Sequence, residues 1–504
     1  MSDRTFMTST GTSLNGSLAM LTDLYELTMA YGFWKNAMLD TRAAFHLSFR
    51  ENPFRGGFAI SSGLGSVIDY LEGFRFTRED TEYLGSLKGI DGTDLFSREF
   101  LDYLMGLRFE CDVDAPPEGT VVFAHEPLLR ITGPILQCQL VESLLLNLIN
   151  YQTLIATKAA RVVLAAEGDP VIEFGLRRAH GINGSLSASR AAYIGGCSGT
   201  SNVLAGQKYG IPVAGTLAHS WIMAFDDEFE AFEAYARALP NNTILLVDTY
   251  NTLEGVKKAI EIGERMRREG HELAGVRLDS GDLAWLSQES RKLLDEAGFQ
   301  NTVIAATNDL DEFIIASLKQ QNAAITLWGV GTRLVTAYNQ PALGGVYKLS
   351  AVRRDGGDWK YRIKLSEQAA KISNPGILQV RRFERDGTFI GDMVYDVMSP
   401  PESRPMMIDP LDVTRRKRFD QARTESNDLL IPIFRQGTRV YDPPPLEEIR
   451  RFAAAQLQRI HFGSRRLINP HQYAVGLEEK LHALKTKLVL EARGMRTLPA
   501  EKTR

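Results

Sequence analysis

At 504 residues the chain is too long for one compact core and is expected to fold as about two or three units. Apolar residues at 44% and charged residues at 24% exclude a disordered or fibrous chain. With 58 lysines and arginines against 62 acids, bulk charge gives no reason to expect a nucleic-acid or membrane-surface partner.

Residues 1–20 read as a flexible tail, rich in Ser, Thr and Gly and without the basic head and apolar stretch of a secretory leader. Residues 21–150 mix helices with short strands at 43–49 and 120–123, as in a separate α/β layer. The most apolar region, 140–155, is interrupted by Glu142, Asn147, Asn150 and Gln152, so it reads as a buried helix and not as a membrane span. Cys111, Cys138 and Cys197 show no metal-like spacing, and their scarcity fits the reducing cytoplasm.

From residue 171 onward, β-branched runs at 171–174, 192–194, 212–215, 244–247, 275–278, 303–306 and 325–328 alternate with helix-period stretches such as 252–268 and 283–297. That alternation predicts parallel strands joined by crossover helices over 151–345. No GxGxxG opens the first unit to favour a dinucleotide fold, so a barrel is expected. Beyond it, 346–352, 361–365 and 378–382 read as antiparallel strands, followed by proline-bearing stretches at 400–410 and 443–445 and a solvated helix over 476–493. Residues 346–504 are expected to rejoin the N-terminal layer.

Barrel enzymes place their chemistry where the strands end, and the reactive residues fall there. His219, in Gly215-Thr216-Leu217-Ala218-His219-Ser220-Trp221, has Thr216 and Ser220 as expected hydrogen-bond partners and offers an imidazole lone pair near neutral pH. A buried histidine satisfied by backbone is the plainer alternative. Arg277 and Asp279, two residues apart, face one side of an extended strand, as a site or as a structural ion pair. Ser280-Gly281-Asp282 is expected to present amides at a helix start, and Gly329-Val330-Gly331-Thr332 is suited to cradling a phosphate with backbone N–H groups. Arg177 and Arg178, just past the 171–174 strand, could clamp an anion or stand in solvent. These residues point to an enzyme acting on an anionic, phosphorylated substrate.

Taken in order, Thr22-Asp23-Leu24-Tyr25-Glu26-Leu27-Thr28-Met29, the 173–181 run, Ser198-Gly199-Thr200-Ser201-Asn202, the His219 segment, 277–282 and 328–332 resemble the nicotinate phosphoribosyltransferases over about residues 21–376. The resemblance implies an irregular α/β barrel of the type II phosphoribosyltransferase kind, a second α/β domain built from both chain ends, and a homodimer with shared active sites. It implies an ATP-dependent, ligase-type glycosyltransferase of NAD salvage that joins nicotinate to phosphoribosyl pyrophosphate through a phosphohistidine at His219, with Mg2+ on the substrate phosphates. By the same likeness Asp279 faces the ribose, and Tyr25 from the partner subunit and Phe174 sandwich the pyridine ring. Arg177, Ser201, Thr216, Ser220 and Arg277 surround nicotinate. Asn308, Gly329, Gly331 and Thr332, with Ser373 in Lys371-Ile372-Ser373-Asn374-Pro375-Gly376, hold the phosphoribosyl group. The resemblance gives no role to the last hundred or so residues.

The nearest rival is a nicotinamide phosphoribosyltransferase, in which the position of Ser201 is acidic; a neutral Ser201 favours a carboxylate substrate. A catalytically silent, metabolite-binding barrel should have lost some of the reactive strand-end residues. A quinolinate-using enzyme needs extra basic residues and no phosphohistidine.

Overall fold

The computed structural model of the chain describes residues 6–7, 13–14, 17–368, 371–420 and 423–495. Up to residue 16 the expected tail lies outside the described residues, apart from an antiparallel pairing of Phe6–Met7 with Ser13–Leu14. The chain divides into two units, one of residues 1–154, 342–445 and 452–504 and one of 155–341 and 446–451. Residues 446–451 therefore group with the central unit, not with the C-terminal strands expected over 346–504.

The central unit is an α/β structure around six parallel strands, in the order Ile244–Leu246, Gly275–Leu278, Val303–Ala306, Leu327–Val330, Val171–Glu173 and Gly199–Thr200. A lone parallel bridge from Thr200 to Val213 extends the ladder, which among the described residues does not close onto Ile244. The barrel is thus irregular, as expected. Its strands are apolar because both faces are covered: Leu245, Val276, Ile304, Trp328 and Val330 are all fully buried. Trp328 satisfies its one donor by giving its indole N–H to Asp169 at 3.0 Å. The Thr252–Arg268 and Leu283–Glu296 helices fall where the period predicts, started by Asn251 and Asp282, whose side chains accept the N–H groups of Glu254 and Trp285.

Five expected elements are corrected, the first being the 361–365 run, of which only Tyr361 lies in a strand, the two-residue Lys360–Tyr361. Residues 192–194 close the Gly181–Ile194 helix, whose small Ser185, Ala188, Ser189, Ala191 and Ala192 are buried, and the strand comes later at Gly199–Thr200. The 212–215 run pairs only through Val213, and the last strand lies two residues beyond its expected start, at Leu327–Val330. Near the C-terminus, Val475–Glu478 is a strand and the helix begins at Glu479. Glu478 caps that helix through its carboxylate, a stop and start that helical spacing alone does not reveal.

The other unit holds two sheets. A seven-stranded antiparallel sheet runs Lys360–Tyr361, Val346–Arg353, Arg42–Ser48, Pro127–Pro134, Asp112–Ala115, Ile431–Arg435 and Thr438–Arg439. A six-stranded sheet is built around Leu378–Arg385, Thr388–Asp396 and Val475–Glu478. Its core holds Phe383 stacked on Phe419, and a buried ion pair of Arg382 with Asp392 that Tyr473 and the backbone carbonyl of Val121 complete. No helix among the described residues is long and apolar enough to cross a membrane.

Candidate active site

The carboxyl ends of the parallel strands bring the central residues together. Arg277, at the end of the Gly275–Leu278 strand, donates through Nη1 to Thr216 Oγ1 and to the carbonyl of Leu217, the latter at 3.0 Å. Its Nε is buried without a partner. Burial lowers the Arg277 pKa, and the nearby Asp279 and Asp248 carboxylates oppose that shift. Asp279, one residue past the strand, accepts a hydrogen bond from Thr307 Oγ1 and gives its own N–H to Asp248 Oδ2 at 2.8 Å. The other oxygen of Asp248 is buried and unpartnered. An unpartnered buried donor and an unpartnered buried acceptor thus stand at one strand-end rim, the complement of a polar ligand.

His219 opens the His219–Met223 helix, with Nε2 3.7 Å from Asp279 Oδ2 and Nδ1 3.1 Å from Thr249 Oγ1. The expected partners Thr216 and Ser220 do not hold it: Thr216 is engaged by Arg277, Ser220 is exposed, and Thr249 from the neighbouring strand end does the work instead. The imidazole is 40% exposed, so it is not the buried, backbone-satisfied histidine of the plainer reading.

A second group surrounds Phe174. Glu173, fully buried, accepts from Ser189 at 2.8 Å, from Thr200 at 2.6 Å and from the N–H of Gly175. One carboxylate therefore fixes the backbone on both sides of the half-buried Phe174 and the Gly199–Thr200 strand beside Ser201. A Cβ on Gly329 would lie 2.7 Å from the Phe174 ring and 2.6 Å from Thr307. Gly329 is thus a contact surface inside the strand; Gly331 follows it and precedes the four-residue Thr332–Val335 helix. Ser201 gives its N–H to Glu173 O, and Asn202, not Ser201, caps the Val203–Tyr209 helix. Arg177 is exposed in a short 3-10 turn and its charge reaches Arg277. Asn308 is exposed at φ +109°, a sparsely populated conformation that proteins keep chiefly at functional sites. The amides expected from Ser280-Gly281-Asp282 are partly taken: Asp282 caps its own helix and Ser280 donates to Asp248.

Tyr25 and Ser373 lie in the other unit. Tyr25 is 44% exposed on the Leu24–Lys35 helix, and its hydroxyl pKa is raised by burial and by Glu142. Ser373 lines an open cleft with His46, Ser48, Arg50, Lys348 and Lys371. Alternation along the Arg42–Ser48 strand and the register His46 to Lys348 put His46, Ser48 and Lys348 on one face. His46 accepts the N–H of Leu378 at Nε2, and its Nδ1 is buried without a partner; burial and Arg130 push its pKa down to about 3, so it is a neutral ring. Sequence reasoning saw Asp248, Thr249 and Thr307 as polar strand-end residues and Glu173 within a motif, but gave none of the four a role in the site. Arg50 and Lys348 carried no signal, since only the fold brings them to one cleft.

Three family descriptions match in chain order: the nicotinate phosphoribosyltransferase N-terminal domain over residues 20–150, the nicotinate phosphoribosyltransferase family over 170–362 and the nicotinate phosphoribosyltransferase C-terminal domain over 379–485. The chain is 39% identical to nicotinate phosphoribosyltransferase of Bacillus subtilis (95% of this chain, 96% of that one) and 35% identical to that of Bos taurus (94% and 97%). Among solved structures, human nicotinic acid phosphoribosyltransferase superimposes with a TM-score of 0.81 at 33% identity, covering 93% of this chain and 99% of that one.

Proposed function

The chain belongs to the nicotinate phosphoribosyltransferase family, and from that premise we propose that it joins nicotinate to the ribose of phosphoribosyl pyrophosphate, yielding nicotinate mononucleotide and pyrophosphate in NAD salvage, while ATP is hydrolysed through a phosphohistidine at His219. The observation that carries this reading is the convergence of His219, Asp279, Arg277 and Thr216 at one rim.

The chemistry follows from that arrangement. The pyridine nitrogen of nicotinate attacks the anomeric carbon as pyrophosphate leaves, and positive charge grows on the ribose. Asp279, held by Thr307 and by the carboxylate of Asp248 at its own N–H, is a fixed negative charge for that moment and needs no reorganisation. Arg277, whose Nε lacks a partner, and Arg177 supply the cations that a carboxylate substrate requires. Phe174 offers a ring face, Tyr25 of the partner subunit the other, and Ser201 and Ser220 line the pyridine site. In the tautomer that donates Nδ1–H to Thr249, His219 carries its lone pair on Nε2, from which it attacks the terminal phosphorus of ATP and releases ADP. Hydrolysis of that phosphohistidine returns the free imidazole and phosphate. Asp248 and Asp279 would present hard oxygen donors to Mg2+ bound with the substrate phosphates, and the ion would neutralise charge on the leaving pyrophosphate.

The phosphoribosyl group is placed against Asn308, Gly329, Gly331 and Thr332, and its phosphates against the cleft of Arg50, Lys348, Lys371 and Ser373 in a homodimer located in the cytoplasm. Neutral Ser201 favours nicotinate over nicotinamide. Product analysis with purified protein, phosphoribosyl pyrophosphate, magnesium and either pyridine, with and without ATP, tests the reading: nicotinate mononucleotide made faster with ATP is expected, and nicotinamide mononucleotide alone would overturn the substrate assignment.

A further inference from the structure

The cleft that holds Ser373 is bordered by the 371–376 segment, and that segment is tied from two sides. On one side Ser373 accepts the N–H of Lys364 at 2.8 Å and returns its own N–H to the Lys364 carbonyl at 3.2 Å. On the other, Lys485 reaches out of the Glu479–Ala492 helix and donates to Asn374 Oδ1 at 2.8 Å and to the carbonyl of Ile372 at 3.4 Å. We propose that Lys485 is a positioning residue for the polyphosphate substrate, holding the 371–376 segment at the cleft while adding an unneutralised charge beside it. This rests on reading the cleft as the site of the substrate phosphates.

Three observations favour a functional tie over a structural one. First, none of the described residues pairs a carboxylate with Lys485 within 4.0 Å, in contrast to Lys480 and Lys487 on the same helix, which meet Glu402 and Glu491. Second, burial by itself pushes its pKa down to about 8, so the chain keeps a desolvated ammonium without compensating charge. A neutral amide donor could satisfy Asn374 and Ile372 at less cost. Third, its field is felt where an anion would sit. His125, which lines the cleft, is depressed by burial and next by Lys485. Among the described residues Arg50, Lys348 and Lys371 in the same lining likewise have no carboxylate within 4.0 Å, and Glu142 acts on Lys348 only from farther away. Such an excess of unpaired cations around a cleft is stabilised when a polyanion enters.

The test uses the full-length enzyme and inorganic pyrophosphate as the probe, with calorimetric binding and steady-state kinetics in parallel. Lys485→Met is expected to weaken pyrophosphate binding and raise the KM for phosphoribosyl pyrophosphate by about tenfold, the weight of one charge-assisted hydrogen bond. The kcat and the KM for nicotinate should stay near wild type. Lys485→Arg should recover most of the loss, and Asn374→Ala, which removes the partner without touching the helix, should shift the same KM in the same direction and carries the test if Lys485→Met fails to fold. Unchanged pyrophosphate binding in Lys485→Met, or a fall in kcat and melting temperature with KM unmoved, overturns the inference and leaves a structural lysine. If wild type itself binds no pyrophosphate while Arg50→Ala and wild type share one KM, the reading of the cleft has failed and the inference falls with it.

Discussion

His219 is held at Nδ1 by Thr249 and faces Asp279 with Nε2, so one ring nitrogen is fixed and the other is free to react. His219→Ala should fold normally and lose ATP-stimulated synthesis, and the acid-labile phosphate expected on the wild type with ATP should disappear; full ATP coupling in the variant would assign the phosphoryl acceptor elsewhere. Ser201 offers a second test at this scale. Because Asn202 caps the following helix, an aspartate at 201 changes charge without competing for the cap. Ser201→Asp should lower kcat/KM for nicotinate relative to nicotinamide by at least about tenfold, since a like charge opposite a desolvated carboxylate costs several kcal/mol. An unchanged ratio removes Ser201 as the selector. Arg277, Asp279 and His219 were legible because strand ends are where charged residues follow apolar runs. Asp248 and Thr249 were given no role because their partners lie some 30 residues away: Asp279 reaches Asp248 through the parallel pairing of Ile244–Leu246 with Gly275–Leu278, and His219 meets Thr249 only in the folded unit.

Among the elements, the Leu327–Val330 strand shows how a glycine inside a strand can serve a neighbour. The space a Gly329 side chain would need is filled by Phe174 and Thr307. Gly329→Ala should therefore displace the Phe174 ring, raise the KM for nicotinate and cost about 1–3 kcal/mol by overpacking, to be read from kinetics and denaturant unfolding. The sheet of the other unit supplies a pH-dependent case. Burial and the neighbouring Asp392 carboxylate hold the Glu126 carboxyl well above its ordinary value of 4.5. A folded pKa above the unfolded one means that the stability gained from the bound proton is complete below about 4.5 and is lost as pH rises toward the folded value. The unfolding free energy of Glu126→Gln should accordingly gain on wild type between pH 5 and pH 8; parallel curves would show that Glu126 does not titrate there. The long helices were legible from period, as Thr252–Arg268 shows, because one face must be buried. The Gly181–Ile194 helix was misjudged at its end because a short run of small apolar residues reads equally as strand, and only the packing of those residues against neighbours decides.

For the whole molecule, the α/β class and the two-part architecture built from both chain ends were legible from the order of strand and helix signals and from the resemblance. The return of 446–451 to the central unit was not, since Glu447 with Tyr193 and Arg450 with the carbonyls of Gly196 and Cys197 are long-range contacts that no local pattern encodes. Tyr25 and Arg277 lie in different units, and the shared-site reading places them in different subunits of one active site. Co-expressed Tyr25→Ala and Arg277→Ala chains should therefore recover part of the activity in verified heterodimers; no recovery would count against a site completed in trans.

The strand order of the seven-stranded sheet has a further consequence during synthesis. Arg42–Ser48 sits in its middle, bonded on one side to Pro127–Pro134 and on the other to Val346–Arg353. The first partner leaves the ribosome soon after it, whereas the second follows about 300 residues later, which at about 5–20 residues per second is roughly 15–60 s. By then every parallel strand of the central unit has been made, since the last of them ends at Val330. The nascent chain must therefore carry an open strand edge, with its backbone groups unpaired, past the synthesis of the whole parallel sheet. A chain held on the ribosome with residues up to 345 exposed should have all six parallel strands of the central unit while its open Arg42–Ser48 edge recruits chaperones.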